Sequence, residues 1–362
     1  MPAEEALSKI YYLEIGDPAR KARYVPVQLD TIVDTRTGDQ LTPAEAAARM
    51  DDVRLLLIGE SHTSMDVHRA QYQMIRALHA AGRRVLIGLE MYPATEQRFL
   101  DQWRTGTLSE DEFVRTSRWY EHWGYHWGFY RDIFLFAREH QLPMHALNTP
   151  REVVQAVRKA GGVTGLTPEQ AKYVPPQMKL DDPEHLAYFR ASFEEGGAMG
   201  HGGGSDEMMK SFAAAQATWD ATMGFNAVQA LKATNDPKAI MVVLVGSGHV
   251  AYGVGIALQV RQWYDGRVAT VIPVPVATTS GQAIPRVRAS YADFVWGLPP
   301  DTEAVFPRLG ISTRTGPGAA QREIILVEKD SVAERAGFQP KDVLVSMDGQ
   351  PIADRETFNR LM

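Results

Sequence analysis

The chain has 362 residues, of which 44% are hydrophobic, and it carries a formal net charge of −6. This length and apolar content allow a sizeable core and predict two domains. The acidic balance gives no basic surface for nucleic acid, and the lack of cysteine excludes disulfides, thiolate metal sites and a cysteine nucleophile. No apolar run reaches the roughly 18 residues of a membrane span. Residues 1–5 lack a signal pattern, which predicts a cytoplasmic protein or a trimmed export signal.

Three short apolar runs in the sequence stop abruptly at polar residues: 55–58, 85–89 and 240–245. Such runs are typical of buried parallel strands, whose carboxyl ends form the ligand-binding edge of open α/β sheets. The first run leads to Glu60 and His62, the second ends on Glu90, and the third leads to His249. Each of the two histidines is the last residue of a Gly-x-x-His motif. We therefore expect these four side chains to meet in one pocket at the edge of the sheet.

The order of the elements predicts an α/β fold with a mainly parallel sheet flanked by helices. A helical pattern over 65–80 separates the strands at 53–58 and 85–89, and strand, helix, strand with short links gives a right-handed parallel crossover. The other expected elements are helices within 94–140, 150–160, 183–195 and 205–233, and strands at 143–147, 240–245 and 268–274. We assign 1–50 to an N-terminal segment with a weak hairpin, 51–275 to the α/β domain and 276–305 to a polar linker.

A glycine-rich stretch covers residues 196–205, with six glycines in ten residues. Such a chain cannot hold regular structure without a large entropic cost. It carries Met199 and His201, which would suit a lid over a ligand or a soft metal site. An ordinary surface loop is the more common outcome for this composition.

The last residues, 306–362, form a separate pattern. A loop at 308–312, a strand at 324–327, a capped short helix at 331–337 and a strand at 342–347 resemble a bacterial PDZ domain. The resemblance implies capture of peptide C-termini or a protein partner by strand addition, with backbone N–H groups of the loop at 309–311 holding the carboxylate. Lys341 stands where that family usually has glycine, and the chain stops inside the expected final helix, which predicts a truncated module.

The residue types at the sheet edge leave three chemistries open. His62, Glu90 and His249 could bind a divalent metal ion such as zinc, manganese or non-haem iron. Alternatively, His62 could act as a general base oriented by a carboxylate, in a metal-free hydrolase that uses Glu60, His62, Glu90 and His249. Finally, the same groups could order the floor of a ligand pocket and do no chemistry. Glu60 and His62 could also simply cap the helix that follows.

Seven short motifs between about residues 50 and 275 resemble the ChaN-like haem-binding proteins. They are Gly59-Glu60-Ser61-His62, His68 with Gln71, Gly88-Leu89-Glu90-Met91, Tyr130-Arg131, the run from Ala146 to Arg151, Trp219-Asp220-Ala221-Thr222-Met223, and the run from Gly246 to Gly253. The same superfamily includes the erythromycin esterases and the Tiki proteases. The resemblance implies haem binding in bacterial iron uptake by an exported lipoprotein, periplasmic or attached to the outer membrane through a lipid anchor, and a homodimer with cofacial haems.

The resemblance also implies a tyrosine as haem-iron ligand, assisted by histidine. Tyr92, Tyr125 and Tyr130 are the candidate tyrosines, and His62, His249 and His201 are the candidate histidines. Tyr130 is the first choice because it follows an aromatic cluster and lies within a matched motif. We therefore predict a haem-binding protein with a PDZ-like module. The alternative is a metal-dependent or metal-free ester or peptide hydrolase, and an inert interaction protein is the third interpretation.

Overall fold

The computed structural model describes residues 8–160, 162–195, 206–300, 302, 305–315, 321–352 and 354–362. The glycine-rich stretch with Met199 and His201 lies outside the described residues. Within these ranges, no helix is long and apolar enough to cross a membrane.

The centre of the molecule is an eight-stranded sheet with the strand order β3-β2-β10-β8-β4-β7-β5-β6. The strands from β10 to β6 pair in parallel, and β2 is antiparallel to β10 and to β3. A separate two-stranded pairing joins β1 and β9. The strand bounds are β1 Tyr24–Pro26, β2 Ile32–Asp34, β3 Gln40–Leu41, β4 Leu55–Glu60, β5 Arg84–Pro93, β6 Met144–Asn148, β7 Ala239–Gly246, β8 Val268–Pro275, β9 Arg286–Arg288 and β10 Phe294–Leu298.

Helices cover both faces of this sheet. On one face α1, α2 and α6 form a core with the sheet, and on the other face α10 and α11 form a second core. The helix bounds are α1 Pro43–Arg49, α2 Met65–Ala80, α3 Gln97–Arg104, α4 Glu110–Thr116, α5 Trp119–His122, α6 Arg131–Glu139, α7 Arg151–Ala160, α8 Pro168–Ala171, α9 Pro183–Glu195, α10 Asp206–Ala233 and α11 Ile256–Val260. The predicted α/β class, with a mainly parallel sheet between helices, is confirmed.

The central strand β4 shows why the sequence reads as an unbroken apolar run. Leu56 and Ile58 pack into the first core, while Leu55 and Leu57 pack into the second. Because both faces of the sheet are covered, every position of the strand is buried and no polar residue interrupts it until Glu60.

The predicted linker at 276–305 differs from the structure, which contains β9 and β10 there. β10 lies inside the sheet between β8 and β2, with Phe294 in one core and Val295 in the other. The predicted N-terminal hairpin is also wrong, because β1 pairs with β9, and β2 pairs with β3 and β10. The pairings of β1 with β9 and of β2 with β10 join segments more than two hundred residues apart, and local patterns carry no information about them.

The C-terminal residues form a small antiparallel β module with two short helices. Its strands pair as β11-β12-β13 and β14-β15, and they do not by themselves identify a PDZ domain. Lys341, where a glycine was expected, has a positive φ of 83°, a conformation that glycine adopts without strain. The bounds are β11 Ile311–Thr315, β12 Arg322–Val327, α12 Val332–Arg335, β13 Val343–Leu344, β14 Ser346–Met347, β15 Gln350–Pro351 and α13 Arg355–Leu361.

Candidate functional site

Glu60, at the end of β4, is a buried carboxylate surrounded by hydrogen-bonding groups. Its Oε1 accepts from the Tyr130 hydroxyl at 2.6 Å and lies 2.8 Å from His62 Nδ1, and its Oε2 accepts from the Gln71 amide at 2.7 Å. Burial alone would raise the pKa of Glu60, but His68, His62 and Tyr130 outweigh burial and hold it at about 2. The carboxylate is therefore ionised at neutral pH, although no solvent reaches it.

His249, just after β7, is held between two carboxylates. Its Nδ1 lies 2.6 Å from Asp220 Oδ1 on α10, and its Nε2 lies 3.3 Å from Glu90 Oε1 on β5. The Gly246 N–H donates to the other Glu90 oxygen at 2.7 Å and fixes that side chain. Burial alone would lower the pKa of His249, but Asp220 and Glu90 raise it to about 10. The imidazole therefore carries a proton at neutral pH.

A glycine between the two histidines lets the pairs approach each other. A Cβ added at Gly246 would lie 3.0 Å from His62 Cε1 and 3.7 Å from Glu90 Oε2. Burial alone would lower the pKa of His62, but Glu60 and then Glu90 raise it above its ordinary value. The structure thus brings Glu60, His62, Glu90 and His249 together at the carboxyl edge of the sheet, as two histidine–carboxylate pairs.

His62 contacts two aromatic side chains of the segment that follows α5. Its ring centroid lies 4.7 Å from that of Trp123 and 4.8 Å from that of Tyr125. Within the described chain, His62 Nε2 and the Tyr125 hydroxyl make no hydrogen bond. Burial, followed by the charges of Glu90 and Glu60, raises the pKa of the half-buried Tyr125 phenol. An imidazole nitrogen and a phenol are therefore both unengaged at this point.

The other two candidate tyrosines are fully buried and engaged. The Tyr92 hydroxyl lies 2.6 Å from Ser117 Oγ, and the Tyr130 hydroxyl donates to Glu60. Burial raises the pKa of both phenols, and the Glu60 charge raises that of Tyr130 further. Both are therefore neutral at ordinary pH.

A cleft of about 480 Å³ opens beside His249. Its apolar and aromatic walls include Met91, Trp123, Tyr173 and Trp219. Its charged side chains are Arg151, His249 and the four carboxylates of Glu90, Glu96, Glu121 and Glu152. The cleft is therefore mixed, with an aromatic wall and an acidic rim. In the described part of the chain, no group of three or more histidine or acidic side chains is arranged to hold a metal ion, so the predicted metal alternative has no support.

Comparison with known families matches residues 46–260, more than half of the chain, to the family described as haem-binding uptake, Tiki superfamily, ChaN. The chain belongs to this family. No curated protein matches the chain in sequence.

One solved structure supports the fold of this chain. A ChaN of Campylobacter jejuni with cofacial haem is similar at 17% identity and a TM-score of 0.57, over 75% of this chain and 98% of that one. An erythromycin esterase mutant in its open conformation is 13% identical, with a TM-score of 0.39 over 70% and 78% of the two chains. At 17% identity, the likeness to the Campylobacter jejuni protein concerns the fold alone.

Sequence reasoning gave no role to three polar residues of this ChaN-family site. Asp220 holds His249, Gln71 holds Glu60, and the buried His185 places its Nε2 3.5 Å from Asp220 Oδ2. Neither of these last two atoms has a hydrogen-bond partner among the described residues. Asp220 lies mid-helix in a mostly apolar stretch, and a buried acid in such a stretch needs a partner; that was the available signal.

We predict that Asp220→Asn lowers the pKa of His249 by more than about one unit, because the variant removes the nearest negative charge and one pKa unit corresponds to about 1.4 kcal/mol. Histidine-selective NMR titration measures this shift.

The raised pKa of His249 also makes the stability of the fold depend on pH. Its contribution to the free energy of unfolding is fully present below about pH 6.5 and is lost as the pH rises through about 10. The stability deficit of the variant should therefore shrink over that window.

The exposed Asp132, replaced by asparagine, is the control and should leave the His249 titration unchanged. An unaltered pKa of His249 in Asp220→Asn would contradict the assigned pairing.

Proposed function

We propose that this protein binds haem at the carboxyl edge of the main sheet. Membership of the haem-binding uptake family supports the ligand. The single observation that carries the site is Tyr125, a half-buried phenol that makes no hydrogen bond to any described residue, in contact with His62 and beside an aromatic wall. Haem is planar and mostly apolar, and a phenolate is a suitable ligand for ferric iron.

Different side chains of the site would bind the iron and the macrocycle of haem. Tyr125 supplies the iron ligand, and His62, fixed through Nδ1 by Glu60, orients the phenol or takes up its proton. Trp123 and Trp219 offer flat apolar surface to the macrocycle. Bound haem would supply a ferric iron that accepts this phenolate.

Tyr125 replaces Tyr130 as the preferred ligand. The Tyr130 hydroxyl would have to leave Glu60, and a buried carboxylate that loses a donor costs about 1–3 kcal/mol or more. Tyr92 would likewise lose its bond to Ser117. His249 has both ring nitrogens close to carboxylates, which suits it to electrostatic support rather than iron ligation.

We predict that Tyr125→Phe alters the ferric haem spectrum in a haemin titration, because it removes the phenolate. His62→Ala should weaken haemin binding about tenfold to a hundredfold without abolishing it, as the loss of an orienting neighbour does. Tyr92→Phe and Tyr130→Phe should keep the parental spectrum. A parental spectrum in Tyr125→Phe, with loss in Tyr130→Phe or His249→Ala, would reject this assignment.

A metal-free hydrolase is the second candidate, and the paired histidines favour it. His62 has a carboxylate on Nδ1, and its Nε2 makes no hydrogen bond among the residues that the structure describes, which is the arrangement of a general base. The protonated His249 lies on the other side of Gly246, where it could act as the acid or stabilise a developing oxyanion. An ester or a peptide bond that lies between His62 and His249 would contact both imidazole rings.

For this candidate, we predict that the haem-free protein hydrolyses p-nitrophenyl acetate faster than an inactive variant. His62→Asn should lower kcat/KM by about a hundredfold to ten-thousandfold, the usual contribution of general base catalysis. The exposed His140, replaced by asparagine, serves as the matched control. Equal rates for the parent and His62→Asn would leave no case for hydrolysis.

The C-terminal module is proposed to be PDZ-like and to bind a peptide C-terminus. A groove of about 330 Å³ lies between the loop at 309–311 and the end of α13; Phe129 and the proposed iron ligand Tyr125 line its other side, so a bound haem would border this groove. Among the described strands, β11 pairs only with β12, so one edge of β11 can accept a strand. Within the described chain, the N–H groups of Leu309 and Gly310 donate no hydrogen bond, which suits a carboxylate.

We predict that a fluorescein-labelled hexapeptide ending in valine binds this groove in an anisotropy titration. The same peptide with an amidated C-terminus should bind at least about tenfold more weakly, because it loses charge-assisted hydrogen bonds. Equal affinities for the two peptides would argue against a carboxylate loop.

A role in bacterial iron acquisition, export to the periplasm or outer membrane, a lipid anchor and a homodimer rest on the family resemblance alone. They remain predictions. Fractionation of producing cells and sedimentation with and without haemin would test them.

A further inference from the structure

The cleft beside His249 carries more negative than positive charge. The cations that line it are Arg151 and the protonated His249, and burial lowers the pKa of His122, so the His122 ring is neutral at neutral pH. These two cations face the four carboxylates of the lining, which are Glu90, Glu96, Glu121 and Glu152. The excess of negative charge favours a cationic ligand over an anionic one.

Two of the four carboxylates already act on cations of the protein. Glu90 Oε1 lies 3.3 Å from His249 Nε2, and the charge of Glu121 acts on Arg355. The other two are less engaged, since Glu96 approaches the exposed Arg98 only at 3.8 Å, and Glu152 forms no ion pair with any described residue. An exposed ion pair of that length contributes little, so the charges of both glutamates are available to a ligand.

The aromatic wall of the cleft suits the same kind of ligand. A cation is attracted to the face of a tryptophan or tyrosine ring, and Trp123, Tyr173 and Trp219 line the cleft. Within the described chain, no lysine or arginine lies over any of these three rings. The Tyr173 ring is exposed, so a ligand can reach it.

A buried hydroxyl in the lining lacks a partner. Thr149, which directly follows β6, is 3% exposed and lines the cleft, and its Oγ1 makes no hydrogen bond among the described residues. Leaving a buried polar group without a partner is costly, and such groups in folded proteins usually have one. A hydroxyl oxygen can accept from the N–H of an ammonium group, so a protonated amine would supply the missing partner.

We propose that this cleft binds the protonated amine of an apolar or aromatic ligand. The carboxylates of Glu96 and Glu152 attract the ammonium group, and Thr149 Oγ1 accepts one of its N–H bonds. The aromatic wall binds the apolar part of the ligand.

This inference goes beyond haem binding and does not rest on it. The proposed iron ligand Tyr125 lines the groove beside the C-terminal module, whereas Trp123 lines the cleft. The ring centroids of these two residues lie 5.3 Å apart. A haem on Tyr125 and an amine in the cleft would therefore contact the same tryptophan.

The test uses three probes with one phenylbutyl skeleton, which are phenylbutylamine, phenylbutanol and phenylbutyrate, in calorimetric titrations of the whole haem-free chain at neutral pH and low salt. We expect the amine to bind at least about tenfold more tightly than the alcohol, the usual gain from a hydrogen bond to a charged group. The acid should bind no more tightly than the alcohol. Added salt should weaken the binding of the amine, because the rim is exposed to solvent.

Two variants locate the amine. Thr149→Val keeps the shape of the side chain and removes Oγ1, so it should weaken amine binding at least about tenfold. The double variant Glu96→Gln with Glu152→Gln should weaken amine binding at least about threefold and leave the alcohol unchanged. Glu139→Gln, on the exposed surface of α6, is the matched control.

Equal affinities for amine and alcohol, tighter binding of the acid, or no binding of any probe would overturn the inference. An amine preference that persists unchanged in Thr149→Val and in the double variant would place the cation elsewhere and would also overturn it. Circular dichroism of each variant checks that the fold is retained. A separate haemin titration of the parent tests haem binding, and its result leaves this inference unaffected.

Discussion

A buried negative charge at the end of β4 organises the site. Glu60 has lost its water, so its charge must be balanced by donors and cations that the fold brings to it. Gln71 comes from α2, Tyr130 from the start of α6 and His62 from the turn after the strand. Each of these bonds also fixes the element that supplies it. The aromatic segment before Tyr130 is therefore tied to the centre of the sheet through a single carboxylate.

The second histidine–carboxylate pair, Glu90 with His249, is also buried, but its histidine differs from His62 in the number of carboxylates around it. His249 lies among carboxylates and keeps its proton, whereas His62 shares the Glu60 carboxylate with three other residues and has an Nε2 without a hydrogen bond in the described chain. Gly246, which has no side chain, lies against His62, and the charge of His249 acts on the His62 ring. One histidine then suits proton acceptance and the other suits stabilisation of negative charge. Both haem ligation by a phenolate and acid–base hydrolysis need this division, which explains why the geometry alone serves two chemistries.

The sequence predicted the long helices, and it predicted the strands that end in polar residues. These strands are visible in the sequence because burial on both faces leaves an unbroken apolar run. Sequence reasoning missed β10, whose five residues are too short and too close to prolines to stand out from a linker. It also had no means to choose between Tyr125 and Tyr130. That choice depends on whether each hydroxyl already has a partner, and the partner of Tyr130 lies seventy residues away at Glu60. Pairings such as Asp220 with His249 are equally invisible until the fold joins α10 to β7.

The C-terminal module brings two further charged residues, Arg355 and Glu356, to the edge of the α/β domain. Glu356 is buried and accepts the Glu121 N–H, and burial raises its pKa to about 6. Its neighbour Arg355 forms no ion pair among the described residues, although Glu356 is adjacent in sequence. The Glu356 carboxylate accepts from the backbone of α5, while the Arg355 guanidinium lies against Gly124 and the charge of Glu121 acts on it. The contact that attaches the module to α5 thereby places a half-buried cation close to Tyr125.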